Sequence, residues 1–144
     1  MKKIETQVTI SASPARVWNV LTNFENHPRW NPFIKSISGN LKRGEKLKVS
    51  IQPPGGSGMT FEPVVTSVVP QQEFKWLGKL GIKGIFDGEH YFIVKPNGDG
   101  TTTLVQGEVF KGILVGLTGK MLDKTGAGFE LMNEALKTAA EQAD

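Results

Sequence analysis

The strongest constraint on the fold of this chain is a nearly unbroken series of short β-type segments between residues 33 and 110. Turn-forming sequences such as PPGGSG at 53–58 and PNGDG at 96–100 separate the segments. The six candidate strands cover residues 33–39, 46–52, 59–69, 72–79, 84–95 and 101–110. KKIETQVTI at 2–10 alternates polar and apolar residues and adds a first strand. Short connections favour antiparallel neighbours, so the sequence predicts seven antiparallel strands.

Helical patterns occur only before and after this series. Ser13 and Pro14 are typical of a helix start, and the pattern predicts a helix of about two turns followed by a second short helical turn over 23–30. Pro32 ends that turn. A long helix begins near Thr125, with one apolar face made of Phe129, Met132, Leu136 and Ala139. The glycine-rich stretch GILVGLTGK at 112–120 predicts a kinked or broken first turn.

These elements predict an α+β fold in which the sheet curls around the long C-terminal helix, because that helix alone is long enough to cover the apolar face of the sheet. With 144 residues, 38% hydrophobic and 22% charged, the chain has the size and composition of one globular domain over residues 1–144.

Composition also narrows the possible functions. The absence of cysteine excludes disulfides, thiol catalysis and thiolate metal sites. His27 and His90 are the only histidines and lack metal-binding spacing, so no metal and no cofactor are predicted. The N-terminal sequence lacks the apolar core of a signal peptide, and the apolar run that starts at Ile113 is too short to cross a membrane. We expect a cytoplasmic protein that does not bind nucleic acid, since its lysines are scattered among carboxylates.

One segment, NHPRWNPFIKSISG at 26–39, places Trp30 and Phe33 around two prolines, Pro28 and Pro32. The aromatic pair could be a hydrophobic plug that closes a short turn, or the rim of a pocket. The sequence pattern of this segment does not decide between these alternatives.

Polar residues interrupt the apolar faces of the last two strands. On the sixth, the set Phe86, Gly88, His90, Phe92 and Val94 is predicted to face inward, which places one histidine among aromatic rings. The seventh strand offers two alternative faces, and periodicity does not choose between them. One consists of Leu104, Gln106, Glu108 and Phe110, and the other of Val105, Gly107 and Val109.

Four stretches carry a resemblance to a known superfamily: ISASPARVWNVLTNFENHPRWNPFI, FDGEHYF, LVQGEVFKGIL and FELMNEALK. Together they resemble the START-like, polyketide cyclase/dehydrase and lipid-transport superfamily, also called SRPBCC, over nearly the whole chain. The resemblance implies a helix-grip fold with two short helices after strand 1, and an internal cavity between the sheet and the C-terminal helix.

The resemblance also implies positions for the site. It favours the inward face of Gln106 and Glu108, which requires a hairpin loop of three or five residues and places both near His90. Trp30 and Phe33 are then expected to flank the entrance. The expected wall residues are Phe61, Trp76, Phe86, Phe92, Phe110, Met121, Phe129 and Met132.

The function implied by the resemblance is binding of a small hydrophobic molecule, lipid-like or aromatic, in a cavity of roughly 300 to 1,000 Å³. His90, Gln106 and Glu108 are expected to orient its polar end. One alternative is a cyclase/dehydrase-type enzyme in which His90 and Glu108 are catalytic. A third hypothesis, implied by branch members linked with carbon monoxide dehydrogenase assembly, is an interaction module for a membrane-associated complex. The oligomeric state, monomer or homodimer, stays open.

Overall fold

A computed structural model describes residues 2–79, 87–112 and 119–142, and the side chains of 119–121 lie outside the description. Within those ranges the chain forms eight strands. They are β1 Lys2–Ile10, β2 Ile34–Ser38, β3 Lys48–Ile51, β4 Met59–Phe61, β5 Val64–Val69, β6 Glu73–Lys79, β7 Asp87–Pro96 and β8 Thr102–Lys111. The helices are α1 Pro14–Thr22, a 3₁₀ turn Phe24–Asn26, α2 His27–Trp30 and α3 Gly119–Glu141.

The strands are arranged as two antiparallel sheets, one of five strands in the order β1-β8-β7-β6-β5 and one of three in the order β2-β3-β4. The predicted single sheet of seven strands is therefore wrong in detail among the described residues. The predicted strand over 59–69 divides into β4 and β5 around Pro63, which has no N–H to donate to a neighbouring strand. An isolated bridge pairs Val64 of β5 with Lys46, which lies two residues before β3.

The helical segment after β1 agrees with the prediction at its start and differs from it further on. The Ser13 hydroxyl oxygen accepts a hydrogen bond from the Arg16 amide at 3.1 Å, and Pro14 occupies the first turn of α1. The expected second helical turn consists of the 3₁₀ turn and the four-residue helix α2. Two short α-helices are thus present, with a separate turn between them.

Helix α3 begins at Gly119, six residues before the predicted start at Thr125, and residues 113–118, where a break was expected, lie outside the described residues. Its predicted apolar face is confirmed for Phe129, Met132 and Leu136, each with 0% exposure. At the last position Ala140 is buried, while Ala139 is only half-buried. Burial of each large side chain contributes about 1.5 to 3 kcal/mol, which holds the helix against the sheet.

The hairpin between β7 and β8 sets which residues face the helix. Pro96 pairs with Thr102, so residues 97–101 form a five-residue loop, one of the two lengths predicted. Gly98 and Gly100 have φ values of +82° and +89°, a region that favours glycine. The resulting register places His90 opposite Glu108 and confirms the predicted inward face of β8.

Candidate ligand-binding site

A pocket of about 90 Å³ lies between the inner faces of the two sheets and the first turns of α3. Its lining residues are Phe33, Ile51, Met59, Phe61, Trp76, Gly78, Lys79, Gly88, His90, Glu108, Phe110 and Thr125. Most of them are apolar. The pocket is partly open to solvent, and in its lining Met59 and Phe61 are half-buried while Lys79 is exposed.

Two glycines in the lining leave part of the volume of the pocket open. Gly78 of β6 pairs with Gly88 of β7, and both positions face inward. A Cβ atom at Gly78 would be 3.4 Å from the ring of Phe61, and one at Gly88 would collide with the Glu108 carboxyl group. Paired glycines on the inner face therefore leave room that any other residues would fill.

The polar corner of the pocket is built around His90, which is only 3% exposed. Its ring stacks on Trp76 with centroids 4.8 Å apart, and it contacts Phe92 and Phe129, each at 4.7 Å. Nδ1 lies 3.3 Å from Glu108 Oε1 and Nε2 lies 2.9 Å from Gln106 Oε1. Both ring nitrogens therefore have partners in an otherwise aromatic environment.

Gln106 extends this polar corner into a network behind the pocket. Its amide Nε2 donates to Asn133 Oδ1 at 2.7 Å and lies 3.4 Å from the Phe129 carbonyl oxygen. Asn133 Nδ2 in turn donates to Thr6 Oγ1 at 2.8 Å. The network ties β1, β8 and α3 together, and its amides are almost completely buried.

The structure brings most of the predicted site residues together, although not all of them reach the pocket. Six line it: Phe33, Phe61, Trp76, His90, Glu108 and Phe110. Four form a second layer or the adjoining core: Phe92, Gln106, Phe129 and Met132. Trp30 is not among the lining residues. Phe86 and the Met121 side chain lie outside the described residues.

Trp30 instead packs on the second buried histidine. The His27 ring is 4.8 Å from that of Trp30, and His27 Nε2 donates to the Leu21 carbonyl oxygen at 2.7 Å. Asn31 Nδ2 donates to His27 Nδ1 at 3.1 Å, while Asn31 Oδ1 accepts from the amides of Phe33 and Ile34. Burial lowers the pKa of His27 below its ordinary value. The cluster fixes the approach to β2, so Trp30 belongs to a structural plug and Phe33 to the pocket wall.

The pocket is smaller than the expected 300 to 1,000 Å³. Phe92, Phe129 and Met132, all at most 1% exposed, fill the centre between sheet and helix, and the Gln106 network occupies the space beside them. The volume that stays open in this pocket adjoins the two glycines, Gly78 and Gly88, which have no side chains to fill it.

Several residues of the site were not predicted: Thr6, Ile51, Met59, Gly78, Lys79, Thr125 and Asn133. For Gly78 the sequence held a signal, because glycine inside a strand often marks a place where another group approaches closely. Gly88 was placed on the inner face, but without a role in shaping the pocket. Asn133 lies beside the predicted apolar face of α3 and gives no comparable signal.

Within the described residues, no cluster of three or more histidine, aspartate and glutamate side chains could hold a metal ion. No helix among them is long and apolar enough to cross a membrane.

Solved structures share this fold over almost their whole length. A START superfamily protein from Mycobacterium smegmatis is 21% identical, with a TM-score of 0.76 and 97% of each chain covered. The Zhui aromatase/cyclase from a Streptomyces species is 16% identical, with a TM-score of 0.78, covering 98% of this chain and 94% of its own. The protein XoxI from Bacillus cereus is 18% identical, with a TM-score of 0.74, and 99% and 97% are covered. The chain therefore has the same fold as these three proteins.

The sequence also matches the family described as polyketide cyclase / dehydrase and lipid transport over residues 1–141. The chain belongs to this family, as the four sequence stretches predicted. A search of curated proteins found no significant match.

Proposed function

We propose that this protein is a single-domain binding protein for a small, largely apolar molecule that occupies the pocket and places a polar group against Glu108 and His90. The observation that carries the proposal is the composition of the pocket, whose apolar walls open to the surface at one end and meet one polar corner. Such a combination of apolar walls and a few converging polar groups is typical of ligand sites. The family description, which includes lipid transport, supports the same function.

The size of the pocket limits the part of the ligand that it can enclose. An apolar cavity of about 150 Å³ is enough for benzene, and the pocket here has about 90 Å³. A short chain fits directly. A single ring requires a small adjustment of the half-buried side chains at the mouth, for which the flexible Met59 is suited. Larger ligands would keep their remaining atoms outside, near Lys79.

Gly78→Leu tests the proposal because the added side chain projects toward Phe61 and fills the pocket. We expect single-ring compounds such as 4-fluorophenol to bind the parent protein and to lose at least about tenfold in affinity in the variant, measured by ¹⁹F NMR titration. Lys75→Leu, which adds the same side chain on the outer face of the same strand, is the matched control. Absence of binding to the parent, or equal binding to parent and Gly78→Leu, would refute the proposal.

A second candidate, a cyclase or dehydrase, is favoured by one specific feature: the hydrogen-bonded pair of His90 and Glu108 faces the pocket. A histidine and a carboxyl group can supply the base and the acid for aldol-type cyclisation of a poly-β-ketone and for loss of water from the β-hydroxyketone that this step forms. The structural similarity to an aromatase/cyclase agrees with this chemistry. Turnover of a poly-β-ketone substrate that disappears in His90→Ala and Glu108→Gln, while ligand binding persists, would establish the enzyme. If the parent protein shows no turnover, the enzyme hypothesis is wrong and the proposed binding function is the one that remains.

A further inference from the structure

Behind the pocket, four polar side chains form a hydrogen-bonded chain whose donors and acceptors can be assigned one after another. The first is Thr6, whose Oγ1 lies 2.9 Å from the backbone carbonyl oxygen of Gln106. A carbonyl oxygen can only accept, so the single proton of the Thr6 hydroxyl points toward it. The Thr6 oxygen is consequently left as an acceptor for its other partner.

That assignment determines the orientation of both amides. The Asn133 atom 2.8 Å from Thr6 Oγ1 has to be the donor Nδ2, which turns Oδ1 toward Gln106. The Gln106 atom 2.7 Å from Oδ1 is then the donor Nε2. The carbonyl oxygen of Phe129, 3.4 Å from the same nitrogen, requires a donor there as well. Two backbone carbonyls therefore impose the same orientation on Gln106.

The orientation of Gln106 in turn selects the tautomer of His90. Gln106 presents its acceptor Oε1 to His90 Nε2 at 2.9 Å, so Nε2 carries a proton. Nδ1 faces Glu108 Oε1 at 3.3 Å. If both of these atoms lacked a proton, two lone pairs would face each other in a site with little water. One proton between Nδ1 and Oε1 removes that repulsion.

The shared proton has two possible positions, and both leave the same group facing the ligand. With the proton on Nδ1 the pair is an imidazolium and a carboxylate, and with the proton on Oε1 it is a neutral imidazole and a carboxylic acid. In each case the other oxygen of Glu108, Oε2, is an acceptor without a proton. Oε2 lies over Gly88 in the pocket, and among the described residues the hydrogen bonds of this carboxyl group go to His90 alone.

We infer that this pocket selects neutral apolar ligands that carry a hydroxyl or N–H donor, and that it rejects carboxylates. The inference rests on the proposed binding function and names the ligand class for that site. A phenol or alcohol donates its proton to Glu108 Oε2, whereas a carboxylate would place a second acceptor and a negative charge against it. Lys79 at the mouth is exposed and therefore offsets little of that repulsion.

The tautomer is tested by long-range ¹H–¹⁵N NMR of His90 in the parent and in Thr6→Val. In the parent we expect a proton on Nε2. In Thr6→Val, which removes the first donor at similar volume, the Phe129 carbonyl oxygen still requires a donor from Gln106, so Nε2 should keep its proton. A His90 with a bare Nε2 and a proton on Nδ1 alone, in either protein, would overturn the inference.

Ligand selection is tested with three compounds that share one ring: 4-fluorophenol, 4-fluoroanisole and 4-fluorobenzoate. We expect the phenol to bind at least about tenfold more tightly than the anisole, since the anisole has no proton to donate to Glu108 Oε2, and we expect benzoate not to bind at neutral pH. Glu108→Met, which removes both carboxyl oxygens at similar side-chain length, should reduce the preference for the phenol. Glu89→Met, on the outer face of β7, is the matched control and should preserve it.

The outcomes separate this inference from the function on which it rests. If the anisole and the phenol bind equally, or if benzoate binds best, the donor selection is wrong while the pocket remains a binding site. If none of the three compounds binds to the parent protein, the proposed function itself fails. A preference for the phenol that persists unchanged in Glu108→Met would also overturn the inference, because another group would then be the acceptor.

Discussion

At the scale of single residues, the site depends on the missing side chains at positions 78 and 88. The two glycines face each other across β6 and β7, but their neighbours differ. Gly78 faces an aromatic ring at ordinary contact distance, whereas Gly88 lies under the carboxyl group that bonds His90. The first position therefore controls the width of the pocket, and the second controls the position of its acceptor.

Gly88→Ala is expected to displace the acceptor of the pocket. The new methyl group occupies the place of Glu108 Oε2, so the carboxyl group, at the end of a flexible side chain, has to move aside. This movement breaks its contact with His90, so 4-fluorophenol should bind at least about tenfold more weakly, and the free energy of unfolding in urea should fall by about 1 to 3 kcal/mol. Gly78→Ala is the control and should keep both properties. Unchanged phenol binding in Gly88→Ala would show that Oε2 is not the acceptor.

At the scale of elements, the segment that joins α2 to β2 is held by neutral His27. Its ring accepts from Asn31 and donates to the Leu21 carbonyl, between the rings of Phe24 and Trp30. A second proton on this ring would face the amide donor of Asn31. Asn31 cannot simply turn over, because its Oδ1 already accepts from two backbone amides at the start of β2.

This geometry predicts a specific loss of stability in mild acid. Burial lowers the pKa of His27 in the folded protein, so below its ordinary value of 6.5 the unfolded chain binds a proton that the folded protein does not. The contribution of neutral His27 to the free energy of unfolding is fully present above about pH 6.5. Below that pH it falls by up to about 1.4 kcal/mol per pH unit. Urea unfolding of the parent and of His27→Gln between pH 5 and 7.5 measures this difference. Parallel pH profiles for the two proteins would contradict it.

The same elements show what sequence can and cannot predict. The alternation along β7 was sufficient to place His90 and Phe92 inward, because its outer face carries the charged residues Asp87, Glu89 and Lys95. On β8 both faces contain apolar residues, so the register is decided by the length of the loop 97–101 that precedes β8. The contact between Gln106 and Asn133 joins residues 27 positions apart on a strand and a helix. Its existence depends on how α3 rotates against the sheet, which periodicity alone does not specify.

At the scale of the whole molecule, the curved sheets and α3 enclose an interior that side chains fill almost completely. The pocket is the small volume that these side chains leave open. Aromatic residues on α3 and β7 occupy most of the space, and a prediction from residue types could not estimate the remainder. Phe129 is the main example, since it contacts both Phe33 and His90, at 5.5 and 4.7 Å between ring centroids. Its size sets the inner limit of the pocket.

Phe129→Ala is therefore expected to lower the stability of the protein and to enlarge the pocket. Removal of a fully buried ring next to the pocket should cost about 3 to 5 kcal/mol in unfolding free energy and should admit a two-ring donor such as 2-naphthol. At 100 times its dissociation constant, that ligand should restore about 2.7 kcal/mol. Leu136→Ala, also fully buried and about two helical turns further along α3 than Phe129, is the control. It should lose similar stability without recovery, and recovery there too would contradict the assignment.

The pairing of β1 with β8 has a consequence for biosynthesis. Thr6 and Gln106, which meet in this pair, are 100 residues apart, and Ser11 bonds to Glu141, 130 residues further along. A ribosome therefore delivers β1 long before any strand exists to pair with it, and such distant closure also slows folding. In the nascent chain β1 has two unpaired edges, which are open to other chains until β8 and α3 emerge. The pocket and its proton-bearing corner can form only after nearly all of this sequence has been synthesised.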